Sequence, residues 1–425
     1  MVFNISQILY TLLYSIGLFF LFPREFLKRP KAQRIPWLKE KFTLLKPVEF
    51  ERKTSCIWVH AVSLGEVLAI APLVEELSKK YNIILTTITD TGREVALKRF
   101  KPSYIKVFYL PFDYPFLIKR FIRKTKAKAL LLTETELWPN LILTASILIP
   151  LGLINGRLSQ KSFKRYKWIK IFLKELFNRF VFFAVQEEEY GKRFKALGAS
   201  SEKIKVVGNL KFDLSIPAVS FKELEVLPRP IIIAGSTHHP EEELILKIFK
   251  ESVKRGTLIL VPRHPERFEL VEKLILSIIE EGEIYLRYSK LKATSVAMKS
   301  SKVIVLFDVM GKLSSLYRIC DLAIIGGSFI PHGGQNPLEA LYWKKPVIIG
   351  PHSENFPFVS ELVKVGGIVQ TTAENLKKVF EDLLNHPEKA KNLSEKGYTF
   401  FSKKRGALER TLKLIEDYLF PSQVS

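Results

Sequence analysis

The chain has 425 residues, 47% hydrophobic and 26% charged, which suits two packed domains of about 200 residues each and excludes a disordered protein. Its only cysteines, Cys56 and Cys320, lie far apart and outside any CxxC or Cys/His cluster, which argues against a disulfide framework and a structural zinc site and for a reducing compartment. The net charge of +23 predicts a polyanionic partner (nucleic acid, an acidic membrane face or a phosphorylated substrate), and since +19 of it falls in residues 1–215, that partner should meet the first half.

No charged residue precedes Arg24, and Ile5 to Phe22 is mostly Leu, Ile, Phe and Tyr. An 18-residue helix is about 27 Å long, marginal against a hydrocarbon core of about 30 Å, so this segment either spans a bilayer or lies at its surface. A buried apolar helix is the alternative. No basic n-region or small-x-small cleavage site marks a signal peptide. Arg24, Lys28, Arg29, Lys31 and Arg34 follow directly and by the positive-inside rule keep the next domain cytoplasmic. Residues 1–35 are read as a membrane anchor with its basic flank.

From Cys56, short apolar runs alternate with amphipathic helical patterns. The runs are Cys56–Val62, Ile83–Ile88, Ile105–Leu110, Ala129–Leu132, Leu151–Ile154 and Phe180–Val185, with helices such as Val67–Lys79 and Phe116–Lys124 between. This alternation predicts an α/β domain with a parallel sheet covered by helices, residues 36–215. Lys161–Phe180 spaces aromatic and aliphatic residues helically among seven Lys and Arg, which fits either a core-facing helix with a basic outer face or a membrane-facing one. No RNP, KH or zinc-knuckle pattern supports RNA binding, and no nucleic-acid partner is expected.

The alternation pauses between Leu214 and Pro230, around Pro217, Pro228 and Pro230, and restarts with Ile231–Ala234, Leu258–Val261, Val303–Phe307, Leu322–Ile325 and Pro346–Ile349. Residues 216–425 are therefore read as a second doubly wound domain, ending in helices over Pro387–Phe420. Two such domains would face a ligand cleft lined by loops at the carboxyl ends of their strands.

Several of those loops carry polar groups that a plain α/β core does not need. Ser63 and Glu66 have capping-box spacing, yet a carboxylate at a helix N-terminus is also held ionised and suited to take a proton from a hydroxyl. Glu134 and Glu136 share a side if their strand continues through them, and Pro139 then opens a helix. In the second half, Gly235-Ser236-Thr237-His238, Pro262-Arg263-His264-Pro265, Gly326-Gly327-Ser328 and Gly333-Gly334-Gln335-Asn336-Pro337-Leu338-Glu339 follow strands. Glycines let backbone amides approach a phosphate, and Arg263 adds a bidentate contact. Asn336, Pro337 and Glu339 also match ordinary capping positions. Together these loops read as a nucleotide site, but neither a GxGxxG turn nor a Walker A sequence occurs, against a nicotinamide dehydrogenase or a P-loop NTPase.

These segments, with Asn155-Gly156-Arg157-Leu158-Ser159 and Gly208-Asn209-Leu210-Lys211-Phe212-Asp213, resemble the bacterial 3-deoxy-D-manno-octulosonic acid (Kdo) transferases of lipopolysaccharide synthesis nearly end to end. The resemblance implies a GT-B glycosyltransferase, with two Rossmann-like domains facing a cleft, that moves Kdo with inversion from CMP-Kdo to the lipid A precursor lipid IVA at the cytoplasmic side of the inner membrane. It implies Glu66 as general base and Glu134 and Lys211 in transition-state stabilisation, with Glu136 close by. Pro262, Arg263, Met310, Gly311, Lys312, Asn336, Pro337, Leu338 and Glu339 match its CMP-binding segments. No cofactor is implied, and the absence of a DxD-like acidic pair predicts transfer without a divalent metal. Gln335 stands where His is common before Asn-Pro-Leu-Glu, Lys312 where Glu is frequent, and Gly156 where Ala is common.

Overall fold

The computed structural model describes residues 5–291 and 301–420. The chain forms two compact units, Met1–Asp213 with Arg405–Ser425 and Leu214–Lys404.

The first unit is built on seven parallel strands, β1 (Cys56–His60), β2 (Asn82–Thr87), β3 (Ile105–Tyr109), β4 (Ala127–Thr133), β5 (Leu151–Gly156), β6 (Phe180–Val185) and β7 (Ile204–Val206), in the order 3-2-1-4-5-6-7. Alternation divides β1 between two cores. Ile57 and Val59 pack with Ala129 and Leu131 on one face, while Cys56 and Trp58 pack with Leu130, Leu132 and Phe121 on the other. The second unit holds β8 (Ile231–Thr237), β9 (Gly256–Pro262), β10 (Glu283–Arg287), β11 (Lys302–Leu306), β12 (Leu322–Ile325), β13 (Val347–Ile349) and β14 (Val369–Gln370), also all parallel, in the order 10-11-9-8-12-13-14. Strand order reverses between β1 and β4 in one sheet and between β8 and β12 in the other. In doubly wound sheets the crevice at the carboxyl ends of such a pair is where ligands bind.

The buried strands lie where the apolar runs predict them. The exceptions are β7, β10 and β14, which are edge strands, incompletely buried along their length, and so lack a continuous apolar run.

The last helix departs from the expected division at residue 216. Helix Ala407–Leu419 belongs to the first unit, where Ala407, Ile415 and Leu419 pack on the Ile57 and Val59 face. Gly406, at φ 93°, separates it from helix Pro387–Lys403. The buried Asp213 carboxylate accepts from Gly406 N and Leu408 N, both at 2.7 Å, so a remote acid satisfies the first amides of this helix.

The N-terminal apolar segment forms helix α1 (Ile5–Leu27), followed by α2 (Lys31–Lys41). One stripe of α1 is polar and docked: Gln7 Nε2 donates to Asn140 Oδ1 (3.0 Å), Tyr10 Oη to Asp113 Oδ2 (2.8 Å), and Ser15 Oγ lies 2.9 Å from Tyr114 Oη. Further along, Leu18, Phe22 and Phe26 pack on Trp37 and Phe112. The opposite stripe, including Leu9, Leu13, Ile16, Phe19 and Phe20, is exposed.

The basic segment Lys161–Phe180 is interrupted. It folds as helix Gln160–Tyr166, a 3-10 turn at Lys167–Ile169 and helix Lys170–Asn178. Leu173, Leu176 and Phe177 face the core, while Trp168 and Ile171 are each 91% exposed, so the segment combines a buried face with an outer face that is both basic and apolar.

Candidate active site

At the carboxyl end of β1 the chain turns through Ala61–Ser63 into helix α3 (Leu64–Lys80), which places Glu66 in the first turn. The capping box forms only in part. Glu66 Oε2 accepts from Val62 N at 2.9 Å, one residue ahead of the cap, and Ser63 Oγ donates to Glu66 Oε1 at 3.3 Å instead of accepting from a backbone amide. The Thr133 hydroxyl, at the end of β4, lies 2.7 Å from Glu66 Oε2 and 2.8 Å from the His60 carbonyl, two acceptors for its single proton. Glu66 is thus fixed mainly through Oε2, and among the described residues Oε1 carries only the longer serine contact.

Strand β4 ends at Thr133, and Glu134 adopts a left-handed φ of 51°, so the alternation expected for Glu134 and Glu136 does not hold. A non-glycine residue there costs about 1–2 kcal/mol, and the turn it makes is closed by Glu136 N donating to Thr133 O at 3.3 Å. Glu136 Oε2 accepts from the Trp138 indole at 3.2 Å.

The carboxylates sense one another. Burial pushes the Glu134 carboxyl up, and the Glu66 charge adds to this, while Lys211 and Arg157 oppose it. Burial likewise pushes Glu136 up to about 7, reinforced by Glu66 and opposed by the Trp138 hydrogen bond. The Lys211 ammonium is pulled down by burial and partly held up by Glu134. The structure therefore brings together all three residues expected at the catalytic centre, with Glu136 beside them. Sequence reasoning assigned no role to Arg157, Thr133 or Asn155. Asn155, itself at φ 51°, accepts from Leu210 N through Oδ1 (3.1 Å) and so positions the turn that carries Lys211.

In the second unit, Ser236 at φ 56° makes a bulge near the end of β8, where the pairing with β9 shifts register between Gly235 and Thr237. Gly235 is required by close approach, since a β-carbon there would lie 2.0 Å from Tyr317 Oη. Arg263 follows β9, its amide donating to Thr237 O at 3.0 Å. Burial pushes Glu339 up to about 7, with Arg263 opposing, and burial then the Glu339 charge raise the Tyr317 phenol. Asn336 Oδ1 accepts from Leu338 N at 3.1 Å, ahead of the five-residue helix Leu338–Tyr342 whose cap is Pro337. Met310, Gly311 and Lys312 form an exposed turn after β11, with Gly311 at φ 79°. His238 packs against His264 and His332, with ring centroids 5.6 and 4.5 Å away, and burial pulls it down to about 4.

One expectation is corrected. The amides of Gly327, Ser328 and Phe329 do not wait for a phosphate: they donate to the buried Glu241 carboxylate at 2.7, 3.1 and 3.0 Å, as does His238 N at 2.9 Å. A fixed internal anion already satisfies this loop. Sequence reasoning missed Glu241 because it heads a Glu241-Glu242-Glu243 run that reads as ordinary acids in a helix's first turn.

Residues 37–214 match the family model for 3-deoxy-D-manno-octulosonic-acid transferase (kdotransferase), and residues 263–400 match glycosyl transferases group 1. The 3-deoxy-D-manno-octulosonic acid transferase of Haemophilus influenzae is 40% identical over 379 residues, 85% of this chain and 87% of that one. Its counterpart from Chlamydophila psittaci is 31% identical over 429 residues, 97% of each. Among solved structures, a putative UDP-N-acetylglucosamine 2-epimerase from Listeria monocytogenes aligns with a TM-score of 0.56 over 88% of this chain and 98% of its own, at 14% identity, a likeness of GT-B fold alone. From these matches, the chain belongs to the 3-deoxy-D-manno-octulosonic acid transferase family of glycosyltransferases.

Proposed function

We propose that the protein transfers Kdo from CMP-Kdo to lipid IVA at the cytoplasmic face of the inner membrane, with inversion and with Glu66 as general base. The observation that carries this is the carboxylate of Glu66, fixed through one oxygen at the β1/β4 strand-order reversal and surrounded by Glu134, Glu136, Lys211 and Arg157.

A sugar hydroxyl is a weak nucleophile near neutral pH, so a positioned carboxylate must take its proton as it attacks. The acceptor oxygen forms its bond to the anomeric carbon as the bond from that carbon to the CMP phosphate oxygen breaks. The proton goes to Glu66 and the electron pair leaves with CMP. Lys211 and Arg157 supply positive charge beside Glu134, where charge develops in the transition state. The segments Pro262-Arg263, Met310–Lys312 and Asn336–Glu339 hold the cytidine monophosphate, and Arg263 is the group for its phosphate.

Membrane association draws on three features of the first unit: the exposed apolar stripe of α1, the exposed Trp168 and Ile171 among basic residues, and the +19 charge of residues 1–215. The deciding experiment is incubation of the full chain with CMP-Kdo and lipid IVA, followed by mass spectrometry of the glycolipid. A product heavier by one or more Kdo residues supports the reading. An unchanged acceptor, or competition by UDP but not CMP, overturns it.

A further inference from the structure

Between α1, α2 and the loops that follow β2, β3 and β4 lies a cavity of about 390 Å³. Gly17, Leu18 and Leu21 of α1 form one wall, with Phe112 and Trp138 opposite, so the lining is predominantly apolar. Leu21 is also 59% exposed, which opens the cavity onto the bare apolar stripe of α1. Its far side reaches Trp138, whose indole donates to Glu136, one side chain from the carboxylate cluster.

Glu25, Arg29 and Lys41 are the charged side chains of the lining, and the Lys41 ammonium lies over the Trp37 and Phe112 rings, 6.0 and 5.4 Å from their centroids. Lys41 is 8% exposed, yet among the described residues its ammonium forms no ion pair. The neighbouring Arg29 is satisfied by Asp90 (3.1 Å) and Glu25 (3.4 Å). Burial pulls Lys41 down to about 7, and Arg29 adds to this, while Glu25, Glu40 and Asp90, the acids that face it, oppose. A buried cation on an apolar wall calls for an anion to arrive with the ligand, and a cavity of this size and lining suits a hydrocarbon chain. The two requirements together describe an anionic amphiphile.

We propose that this cavity takes one acyl chain of the anionic acceptor lipid, drawn from the bilayer beneath α1, with a phosphate of the same lipid meeting Lys41. Continuity with Trp138 and Glu136 favours the acceptor over a bystander phospholipid, because a chain seated there brings its own sugar toward Glu66. The proposal rests on the reading of the acceptor as an acylated, phosphorylated saccharide. It adds that α1 serves as one wall of a substrate slot as well as an anchor.

Gly17→Phe tests it, since a β-carbon at position 17 would meet no atom within 4 Å and the larger side chain occupies open space. Thermal melting of the variant confirms that the fold is kept. Transfer is measured on lipid IVA and on its fully de-acylated sugar bisphosphate. The ratio of KM for the acylated over the de-acylated acceptor should rise by about tenfold or more in the variant, the scale on which apolar pockets discriminate. Lys41→Gln removes a contact to a phosphate that both acceptors carry, so it should raise KM for both and leave the ratio near wild type. An unchanged ratio in Gly17→Phe overturns the slot while leaving Kdo transfer intact.

Binding is read separately, without turnover, from quenching of tryptophan fluorescence by lipid IVA brominated along an acyl chain, since Trp37 and Trp138 line the cavity. Quenching by the wild type that is lost in Gly17→Phe supports the slot. Absence of quenching, or equal quenching in both proteins, including that caused by a phospholipid chain at the outer face of α1, overturns it whatever the transfer assay gives.

Discussion

Replacing Glu66 with Gln separates the two roles that its position allows. The amide keeps a carbonyl oxygen for Val62 N, now at 2.9 Å, and for the Thr133 hydroxyl at 2.7 Å, and turns its NH2 toward Ser63 Oγ at 3.3 Å, which can accept. All three contacts survive, and the folded state loses mainly the attraction between a negative charge and the helix N-terminus, about 0.3–1 kcal/mol. Chemistry should suffer far more. A positioned general base contributes about 10²- to 10⁴-fold, which corresponds to about 3–5 kcal/mol of barrier. Initial rates with CMP-Kdo and lipid IVA should therefore fall at least 100-fold in kcat, while calorimetric CMP affinity and the melting temperature stay close to wild type. A kcat within tenfold of wild type would remove Glu66 as the base. A large loss of stability would instead identify the carboxylate as a structural cap.

Asp213→Ala strips two amide bonds from the start of helix Ala407–Leu419 and should cost about 1–2 kcal/mol, read as a lower urea midpoint and faster proteolysis near Arg405. Glu241→Gln leaves a single acceptor oxygen among four amide donors, and CMP affinity measured by calorimetry should fall about tenfold, equivalent to about 1.4 kcal/mol. Glu136 is raised from 4.5 to about 7 in the folded protein, so the folded state binds more protons than the unfolded one and loses stability as pH rises across that window. Glu136→Gln should flatten that decline in urea titrations at pH 5, 6 and 7. Transfer in excess chelator should proceed at the untreated rate, and loss of activity restored by Mg²⁺ would contradict the metal-free reading.

What could be read in the sequence follows from burial. Strands such as β1, β9 and β12 are buried along their whole length, so they stand out as apolar runs. The loops after them stood out because polar residues at strand ends have no packing role to explain them. The edge strand β10, Glu283–Arg287, is partly exposed throughout and reads like any mixed segment. Helix Ala407–Leu419 shows why an amphipathic stripe is incomplete information: Ala407, Ile415 and Leu419 announce a buried face without saying which sheet covers it. Glu134 shows the limit of periodicity, because a left-handed φ of 51° is invisible in a run of Thr and Glu. Glu241 was hidden for the opposite reason, since an acid in a first helical turn looks fully explained.

The return of helix Ala407–Leu419 to the first sheet makes the first unit discontinuous in the chain, while the second is an uninterrupted stretch from Leu214 to Lys404. During synthesis, then, the Ile57 and Val59 face has no complete cover until helix Ala407–Leu419 has left the ribosome, by which time all of the second unit is available to fold. The second unit can thus close before the unit that carries Glu66 is complete, and a chain cut short before residue 407 leaves the Ile57 and Val59 face without the part of its cover that Ala407, Ile415 and Leu419 supply.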